Sequence, residues 1–521
     1  MVASQDATGT PDPCPDSLVA PRGLGRTPYL INFAVIVGFA ALLAATLLRH
    51  EMWRDEIQAW SIANSSSSLR DLFHNLRYEG HPVLWYLLLF PVARAFDAPE
   101  AMQALQFVVG VGAVALLVSR SPFTRVQRTL LPFGFFLAFE FGTLSRSYGL
   151  GTLLVFATCA AANKQKRCWP LLGLLIGLLS LTSAFGALVG LAILTGLVVD
   201  ERYRNRSRTD DGPTLNAIAI GTTIAVMGMI AAYFQSVPPN NAGEFRGWRT
   251  NVHAGDISST IASIWRAFIP IPKFEREFWN TNIADGHVGL AAIVSILIFA
   301  SVIKLFSSKP GALAMWAVGV ASTLVFTYSK IGYASSGRHY GHLFLLLVAM
   351  YWIAPSLQAS TQSIEGQARI SHRRSELLTA VLLIHLVAGL FAVSTDLFAP
   401  FSDGKSVAKF LQSSKYTSTA IVGYPDNASS TVAGYLQRDI FFPQGGRSGS
   451  YVIWDKDRKK PSDYYEQLIN AMTNQDGSAF LLLRNEPVAE LSSNVDLIES
   501  FADGIVSDEH FWLYRVIPAD S

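Results

Sequence analysis

The sequence predicts a polytopic α-helical membrane protein with a small soluble α/β domain at its C-terminal end. Half of its 521 residues are hydrophobic and only 15% are charged, whereas soluble proteins carry about a quarter charged residues. Several apolar runs are long enough to cross a bilayer. The formal net charge of +2 does not indicate a nucleic-acid partner.

Hydropathy predicts about eleven membrane spans after an N-terminal segment, 1–28, that is rich in Pro, Gly and Ser and is predicted to be disordered and cytoplasmic. The first span is too long for a signal-peptide core, and we interpret it as uncleaved. The predicted spans lie near 29–48, 101–118, 129–144, 148–163, 169–183, 184–199, 214–235, 287–306, 311–328, 341–356 and 376–397.

One more apolar segment, 81–96, is short for a span and contains Pro82 and Pro91. If it lies on the membrane surface, the short basic loops fall on the same side as the N-terminus, as the positive-inside rule requires. We therefore predict an interfacial or re-entrant helix here. The loops 49–100 and 236–286 are then outside the cytoplasm, in a multi-pass protein of the cell inner (plasma) membrane.

The tail, 398–521, is less apolar and alternates in polarity, which predicts a small periplasmic α/β domain. Four of its stretches have strand character, and they are TAIVGYP, GSYVIWD, SAFLLLR and HFWLYRVI. The stretch SDYYEQLINAMTNQ, 462–475, has helical character.

Two adjacent acids, Asp55 and Glu56, follow the first span almost at once. The simpler interpretation is a solvated pair that ends the span and is neutralised by Arg49 or Arg54. The functional interpretation is catalytic, because a partly desolvated carboxylate at the membrane surface can act as a general base for a hydroxyl. Adjacent acids are also expected to raise the pKa of one another.

Cationic and aromatic residues recur on the same predicted side of the membrane. Arginine at a span end is usually a snorkelling anchor, and aromatic and basic belts are common at interfaces. The alternative is a phosphate site, since the planar guanidinium makes two parallel hydrogen bonds. The candidates for the phosphate site are Arg146, Lys330, Arg338 and His339, and the alternative for Arg146 is a pairing with the two acids. The candidates for other substrate contacts are Tyr148 and, in the long outer loop, Arg246, Trp248 and Arg249.

Acids and cations around a cradle at the membrane surface suit one type of reaction. The donor is a sugar on a lipid phosphate, and the acceptor is a hydroxyl of a glycan, a lipid or a protein. A carboxylate takes the hydroxyl proton, and the cations stabilise the charge that grows on the departing phosphate.

Four stretches together resemble the membrane-embedded GT-C glycosyltransferases, in the branch of the protein O-mannosyltransferases and the lipid A aminoarabinose transferase. They occur in the family's order over roughly 29–400, and the long outer loop and the soluble domain agree with it. The stretches are WRDEIQAW (53–60), EGHPVLWY (79–86), LSRSYGL (144–150) and SGRHYGH (336–342).

That resemblance implies a GT-C-like catalytic domain at 29–397, a polyprenyl-phosphate sugar donor, inversion by single displacement, and no metal or other cofactor. It makes Asp55 the base with Glu56 beside it, and it places His81 among the substrate-binding residues. Arg338 resembles the family's late Arg-Tyr position, although His339 intervenes. Many relatives have Thr-His or Thr-Lys where this chain has LTSAFGA, 181–187.

Two other functions remain open at this point. A transporter or lipid flippase carries ionisable residues near the middle of its spans, where this chain has few, Glu140 being the main exception. An O-antigen ligase or polymerase uses a diphosphate-linked donor, and the early acid pair suits it less well. The identities of the sugar and of the acceptor are not predicted.

Overall fold

The computed structural model describes residues 26–164, 166–205, 213–243, 253–331, 336–359, 364–458, 479–488 and 495–517, together with Gly247 and Asn251. Residues 1–25 of the predicted disordered segment lie outside this set, whereas 26–28 belong to the first helix. The α-helices are α1 Arg26–Arg49, α2 Arg54–Ser65, α3 Leu69–Asn75, α4 Leu84–Ala95, α5 Glu100–Arg120, α6 Arg125–Leu130, α7 Ser147–Ala162, α8 Trp169–Ser180, α9 Ala184–Asn205, α10 Leu215–Ser236, α11 Ala254–Ala262, α12 Trp265–Phe268, α13 Val288–Phe306, α14 Pro310–Phe326, α15 Gly337–Ile353, α16 Ile364–Phe398, α17 Gly404–Ser413 and α18 Asp426–Leu436.

Seven of the described helices are long and apolar enough to cross a membrane, namely α1, α5, α9, α10, α13, α14 and α16. The other predicted spans coincide with shorter or broken helices, so the count of about eleven is not confirmed. Helices α7, α8 and α15 have 16, 12 and 17 residues. The interfacial candidate 81–96 forms α4, whose 12 residues reach about 18 Å, less than the ~30 Å hydrocarbon core.

The predicted span 129–144 is broken into three pieces by its own sequence. Helix α6 ends at Leu130, a 3₁₀ turn covers Leu131–Phe133, and a π-helix covers Phe136–Glu140. Pro132 and Gly134 lie at these breaks, as expected for a residue without an N–H and a residue without a side chain. The chain then reaches Arg146 in an irregular loop that ends where α7 begins.

The centre of the helical part is α15, which is buried on every side from Tyr340 to Ile353. A helix that is apolar all round is expected at such a position, surrounded by other helices. Helices α7, α9, α12 and α14 pack directly against it. Because α15 is held on all sides, the residues of its first turn have a fixed position at one end of the bundle.

The C-terminal part contains a six-stranded sheet in the order β3-β2-β1-β4-β6-β5. Strand β1 is parallel to β2 and β4, and the other pairs are antiparallel. The strands are β1 Ile421–Tyr424, β2 Ile440–Phe442, β3 Arg447–Gly449, β4 Phe480–Arg484, β5 Val495–Phe501 and β6 Phe511–Val516. With the helical bundle, this sheet confirms the predicted fold class.

Three of the four predicted strands of the tail are confirmed, as β1, β4 and β6. The fourth, GSYVIWD, is not a strand beyond Gly449. Its backbone instead pairs with the Gln58 side chain at Val452 and with the outer loop at Asp455. The predicted helix 462–475 lies outside the described residues.

The sheet domain is docked on α2 through buried contacts. Gly434 of α18 allows the close approach, because a Cβ at that position would lie 2.2 Å from Cγ2 of Ile57. Gln58 donates to the carbonyl of Val452 at 2.8 Å and accepts from its N–H at 2.9 Å. Tyr435 Oη donates to the carbonyl of Met52 at 3.3 Å. Helix α2 is therefore fixed from the bundle and from the sheet domain.

Glu509 of the sheet domain caps the start of α2, because the N–H of Arg54 donates to its Oε1 at 2.8 Å. Burial raises the pKa of Glu509 to about 8, against the opposing effects of Arg54 and Ser402. The fold thus favours the protonated acid. The contribution of Glu509 to the free energy of unfolding is complete below the pKa of the unfolded chain, about 4.3. It is lost as the pH rises through about 8.

We expect the Tm of the purified protein to fall as the pH rises from 5 to 9, and Glu509→Gln to reduce this fall. The difference between the two slopes is expected to be a few degrees, on the order set by ~2–4 °C per kcal/mol. Asp503→Asn is the control, since its ion pair with Arg276 is exposed and its loss is expected to leave the slope unchanged. An unaltered slope in Glu509→Gln would contradict the assignment.

Candidate functional site

One carboxylate and two guanidinium groups meet at the end of the bundle that faces the sheet domain. Asp55 Oδ2 accepts from Arg146 Nη1 at 2.6 Å and from Arg338 Nη2 at 3.2 Å. The Asp55 side chain remains 29% exposed, and the arginines are 11% and 14% exposed. We call these three residues the acid–arginine cluster. Sequence analysis selected all three.

Three helices begin at the acid–arginine cluster. Asp55 lies in the first turn of α2, Arg146 is the residue before α7, and Arg338 lies in the first turn of α15. The N-terminus of a helix carries unpaired N–H groups and a partial positive charge, which favour a bound anion. Together with the two guanidinium groups, the helix ends make this region strongly attractive to a negative ligand.

The guanidinium of Arg338 lies against two tryptophans that contact each other. Its Cζ is 5.2 Å from the ring centre of Trp53 and 5.4 Å from that of Trp279, within the range of cation–π contacts. The two rings meet edge to face at 4.4 Å. Arg338 Nε and Nη1 are buried and make no hydrogen bond with any described residue, although buried donors are nearly always paired. Arg338 thus has donors left for a ligand.

The two acids point in different directions. Glu56 is fully buried, with Oε2 bonded to His50 and Oε1 accepting from the N–H of Ser145. It is therefore outside the acid–arginine cluster, in contrast to the expected catalytic pair. The expected rise in the pKa of Asp55 is also wrong. Burial alone would raise that pKa, but Arg146, Arg338 and Arg54 outweigh burial and lower it.

His81 and Glu79 of the predicted EGHP stretch lie near the cluster, where the charges of Asp55 and Arg146 act on both. Burial and Arg146 lower the pKa of His81 to about 4, so its imidazole is neutral at pH 7. Burial raises the pKa of Glu79 to about 7. Gln58 Nε2 donates to Glu79 at 2.8 Å, which links this carboxyl to the sheet domain.

Tyr148 and His339 support the cluster from within the bundle. The Arg146 guanidinium lies 5.2 Å from the ring centre of Tyr148, which is buried. His339 stacks its ring on Phe185 at 4.8 Å with an interplanar angle of 13°. Phe185 belongs to LTSAFGA, the stretch in which this chain departs from the family pattern. His339, the residue after Arg338, thus packs against this stretch of the chain.

The remaining predicted site residues belong to the long outer loop or lie against it. Lys330 Nζ donates to the carbonyl of Gly247 at 3.0 Å, which connects Lys330 to the long loop. Arg246, Trp248 and Arg249 lie outside the described residues. The loop 236–286 also contributes Trp279, which reaches Arg338 from the far end of the loop.

Sequence reasoning missed Trp53, Trp279, Gln58 and Glu79 as parts of the site. Trp53 and Gln58 belong to the motif WRDEIQAW, and their position close to Asp55 in the sequence could have indicated that they are part of the site. Glu79 stands in EGHP and had the same signal. Trp279 is far from Arg338 along the chain, and only the folded outer loop brings the two side chains together.

Two solved structures of ArnT from Cupriavidus metallidurans match the chain over 94% of its length and 98% of theirs, at 11% sequence identity. The TM-scores are 0.54 for the apo protein and 0.50 for the protein bound to undecaprenyl phosphate. This chain has the ArnT fold. No protein-family model and no curated protein sequence matches it.

The ArnT-like fold confirms the GT-C-like architecture that the motif order predicted. The match extends over the helical bundle and the sheet domain together, because only 6% of the chain falls outside it. In this ArnT-like chain, the acid–arginine cluster lies where α2, α7 and α15 begin.

Proposed function

We propose that the protein is an integral membrane glycosyltransferase that moves a sugar from a polyprenyl-phosphate donor to a hydroxyl acceptor. The acid–arginine cluster, with the unpaired donors of Arg338, is the observation that carries this proposal. The ArnT fold supports it, since one of the two ArnT structures is bound to undecaprenyl phosphate. The protein is proposed to lie in the inner membrane, with the cluster and the domain 398–521 on the outer face.

Arg338 is proposed as the main ligand of the donor phosphate. Its buried Nε and Nη1 donors and its planar fork suit two parallel hydrogen bonds to phosphate oxygens. Trp53 and Trp279 hold the guanidinium in place. Arg146 adds a second positive charge, and neutral His81 adds a hydrogen-bond donor. Lys330, His339, Tyr148 and the outer-loop residues Arg246, Trp248 and Arg249 remain proposed substrate contacts.

Asp55 is proposed as the general base. Both arginines contact its Oδ2, so Oδ1 is outside these two ion pairs and can accept a proton from the acceptor hydroxyl. The lowered pKa of Asp55 makes the free enzyme a weak base. A donor phosphate competes for the same guanidinium groups, and their withdrawal raises the pKa of Asp55 when the donor is bound.

The transfer is proposed as one displacement with inversion. The acceptor oxygen forms a bond to the anomeric carbon as the bond from that carbon to the phosphate oxygen breaks. The hydroxyl proton passes to Asp55, and polyprenyl phosphate leaves with the electron pair. Arg338 and Arg146 stabilise its charge, an electrostatic effect that is often the largest single contribution to catalysis.

The test is transfer by purified protein in lipid, with labelled polyprenyl-phosphate sugars as donors and envelope extract as the acceptor source. Release of polyprenyl phosphate, with the label in an acceptor, is the expected result. Matched polyprenyl-diphosphate sugars serve as the comparison. Transfer only from the diphosphate series would support the ligase alternative, and no transfer from either series would contradict the proposal.

A further inference from the structure

We propose that His50 and Asp396 are positioning residues for the transfer, because with Glu56 they form a buried carboxylate–imidazole–carboxylate chain that fixes the acid–arginine cluster. We call these three residues the buried relay. The inference rests on the proposed function, since it assigns a role in that same site. It concerns residues that are outside the cluster and that sequence analysis did not select for this role.

The buried relay connects three separate elements. His50 follows α1, Asp396 lies near the end of α16, and Glu56 lies in the first turn of α2. His50 Nδ1 is 3.0 Å and 3.1 Å from the two oxygens of Asp396, and its Nε2 is 3.0 Å from Glu56 Oε2. None of the three side chains is exposed to solvent.

Glu56 connects the buried relay to the cluster through hydrogen bonds with two backbone N–H groups. Its Oε1 accepts from the N–H of Ser145 at 2.5 Å, and its Oε2 accepts from the N–H of Trp53 at 3.3 Å. Ser145 directly precedes Arg146, and the Trp53 ring lies beside Arg338. Asp55 directly precedes Glu56. Asp55 is therefore bonded to Glu56 itself. Arg146 is bonded to Ser145, and Arg338 lies against Trp53, and both of these residues are held by Glu56.

The charge of the buried relay keeps it in one geometry. Burial alone would lower the pKa of His50, but Asp396 and Glu56 raise it to about 10. The imidazole is therefore protonated at neutral pH, and both of its N–H groups donate to a carboxylate. Hydrogen bonds between charged groups are shorter and stronger than neutral ones, and breaking a buried pair leaves an uncompensated charge.

His50 is fixed by two further neighbours. Gln103 Nε2 of α5 donates to the carbonyl of His50 at 3.0 Å, and the ring of Phe401 lies 4.8 Å from the imidazole. With its side chain and its backbone both held, His50 cannot turn to another partner without losing several contacts. The buried relay thus fixes the first turn of α2 and the loop before α7.

The experiment compares Asp396→Asn with wild type, with Asp396→Glu as the conservative rescue. Asparagine keeps an acceptor for His50 but removes the charge. We expect kcat to fall by roughly 10–10²-fold, as small misplacements of a reacting group do, with a smaller rise in the KM for the donor, because Arg146 and Arg338 keep their charges. We expect Asp396→Glu to recover part of kcat.

The matched control is Asp200→Asn, which removes a buried carboxylate from ion pairs with Arg167 and Arg204 at the other end of the bundle. It is expected to lower the Tm without lowering kcat. If both variants lowered kcat in proportion to their loss of Tm, the role of Asp396 would be structural only. A folded Asp396→Asn with the kcat of wild type would also overturn the proposal.

Hydrogen exchange gives a second readout that does not depend on activity or on a folded variant. The Ser145 amide of wild type, which donates to the buried Glu56, is expected to exchange more slowly than the Ser67 amide, which donates to the exposed carboxylate of Asp71. Rapid exchange at Ser145 would overturn the relay. Failure of the proposed function is distinct, since wild type would then transfer no sugar while Ser145 remained protected.

Discussion

Replacing Asp55 by asparagine is expected to lower the transfer rate by roughly 10²–10⁴-fold, the usual share of a general base. Asparagine has nearly the same shape and can still accept from Arg146 and Arg338, so α2 and the two arginines keep their places. It cannot take the proton of the acceptor hydroxyl. The measurement is the single-turnover rate of sugar transfer by wild type and Asp55→Asn, at equal amounts of folded protein.

Asp71→Asn is the control for that variant. Asp71 belongs to the same outer segment, where its carboxylate accepts from the N–H of Ser67 at 2.8 Å in an exposed position. The same change of charge at this site is expected to leave the rate within about twofold, as for surface substitutions in general. A rate close to that of wild type in Asp55→Asn would exclude Asp55 as the base.

Replacing Arg338 is expected to have the second largest effect. Arg338→Ala removes a preorganised positive charge from the departing phosphate, and we expect the rate to fall by roughly 10²–10³-fold. Arg338→Lys keeps the charge but loses the planar fork and its contacts with Trp53 and Trp279. We therefore expect lysine to restore only a minor part of the rate. Transfer rate and donor affinity are both measured.

Arg276→Ala serves as the control for Arg338. Arg276 belongs to the loop 236–286, and its ion pair with Asp503 joins side chains that are 56% and 82% exposed. Such exposed pairs contribute little. We expect no change in donor affinity. Wild-type affinity and rate in Arg338→Ala would show that the phosphate is held elsewhere.

Much of the site could be predicted because each member of the cluster lies at the end of an apolar segment. Charge at a span end is visible in the sequence, and the basic loops placed Asp55, Arg146 and Arg338 on one side of the membrane. Their meeting at a single oxygen could not be derived in this way. It depends on α15 being buried at the centre, which brings the start of that helix to the loop before α7.

The pairing of Asp55 with Glu56 is the clearest wrong expectation, and its cause is helical geometry. Adjacent residues of an α-helix point about 100° apart, so two neighbouring acids cannot both face one ligand. Asp55 faces the arginines, while Glu56 faces His50 and the interior. The first turn of α2 was the signal that could have separated them. Because the same turn directs Asp55 toward the arginines, their charges lower its pKa.

The broken span 129–144 and the segment GSYVIWD show two further limits of pattern reasoning. Pro132 and Gly134 were visible, but the mean hydropathy of the segment concealed the break they produce. In GSYVIWD, alternation predicted a strand, yet Val452 pairs with the side chain of Gln58. A side chain that takes the place of a neighbouring strand leaves no pattern in the sequence.

Binding of polyprenyl phosphate to Asp55→Asn, compared with wild type, tests the shared role of the cluster most directly. If Asp55 is the base and competes with the phosphate for Arg146 and Arg338, the variant will bind the lipid at least as tightly as wild type while its transfer rate is lost. Weaker binding in the variant, in parallel with the loss of transfer, would contradict this, because Asp55 would then be a structural partner that holds the two arginines in place.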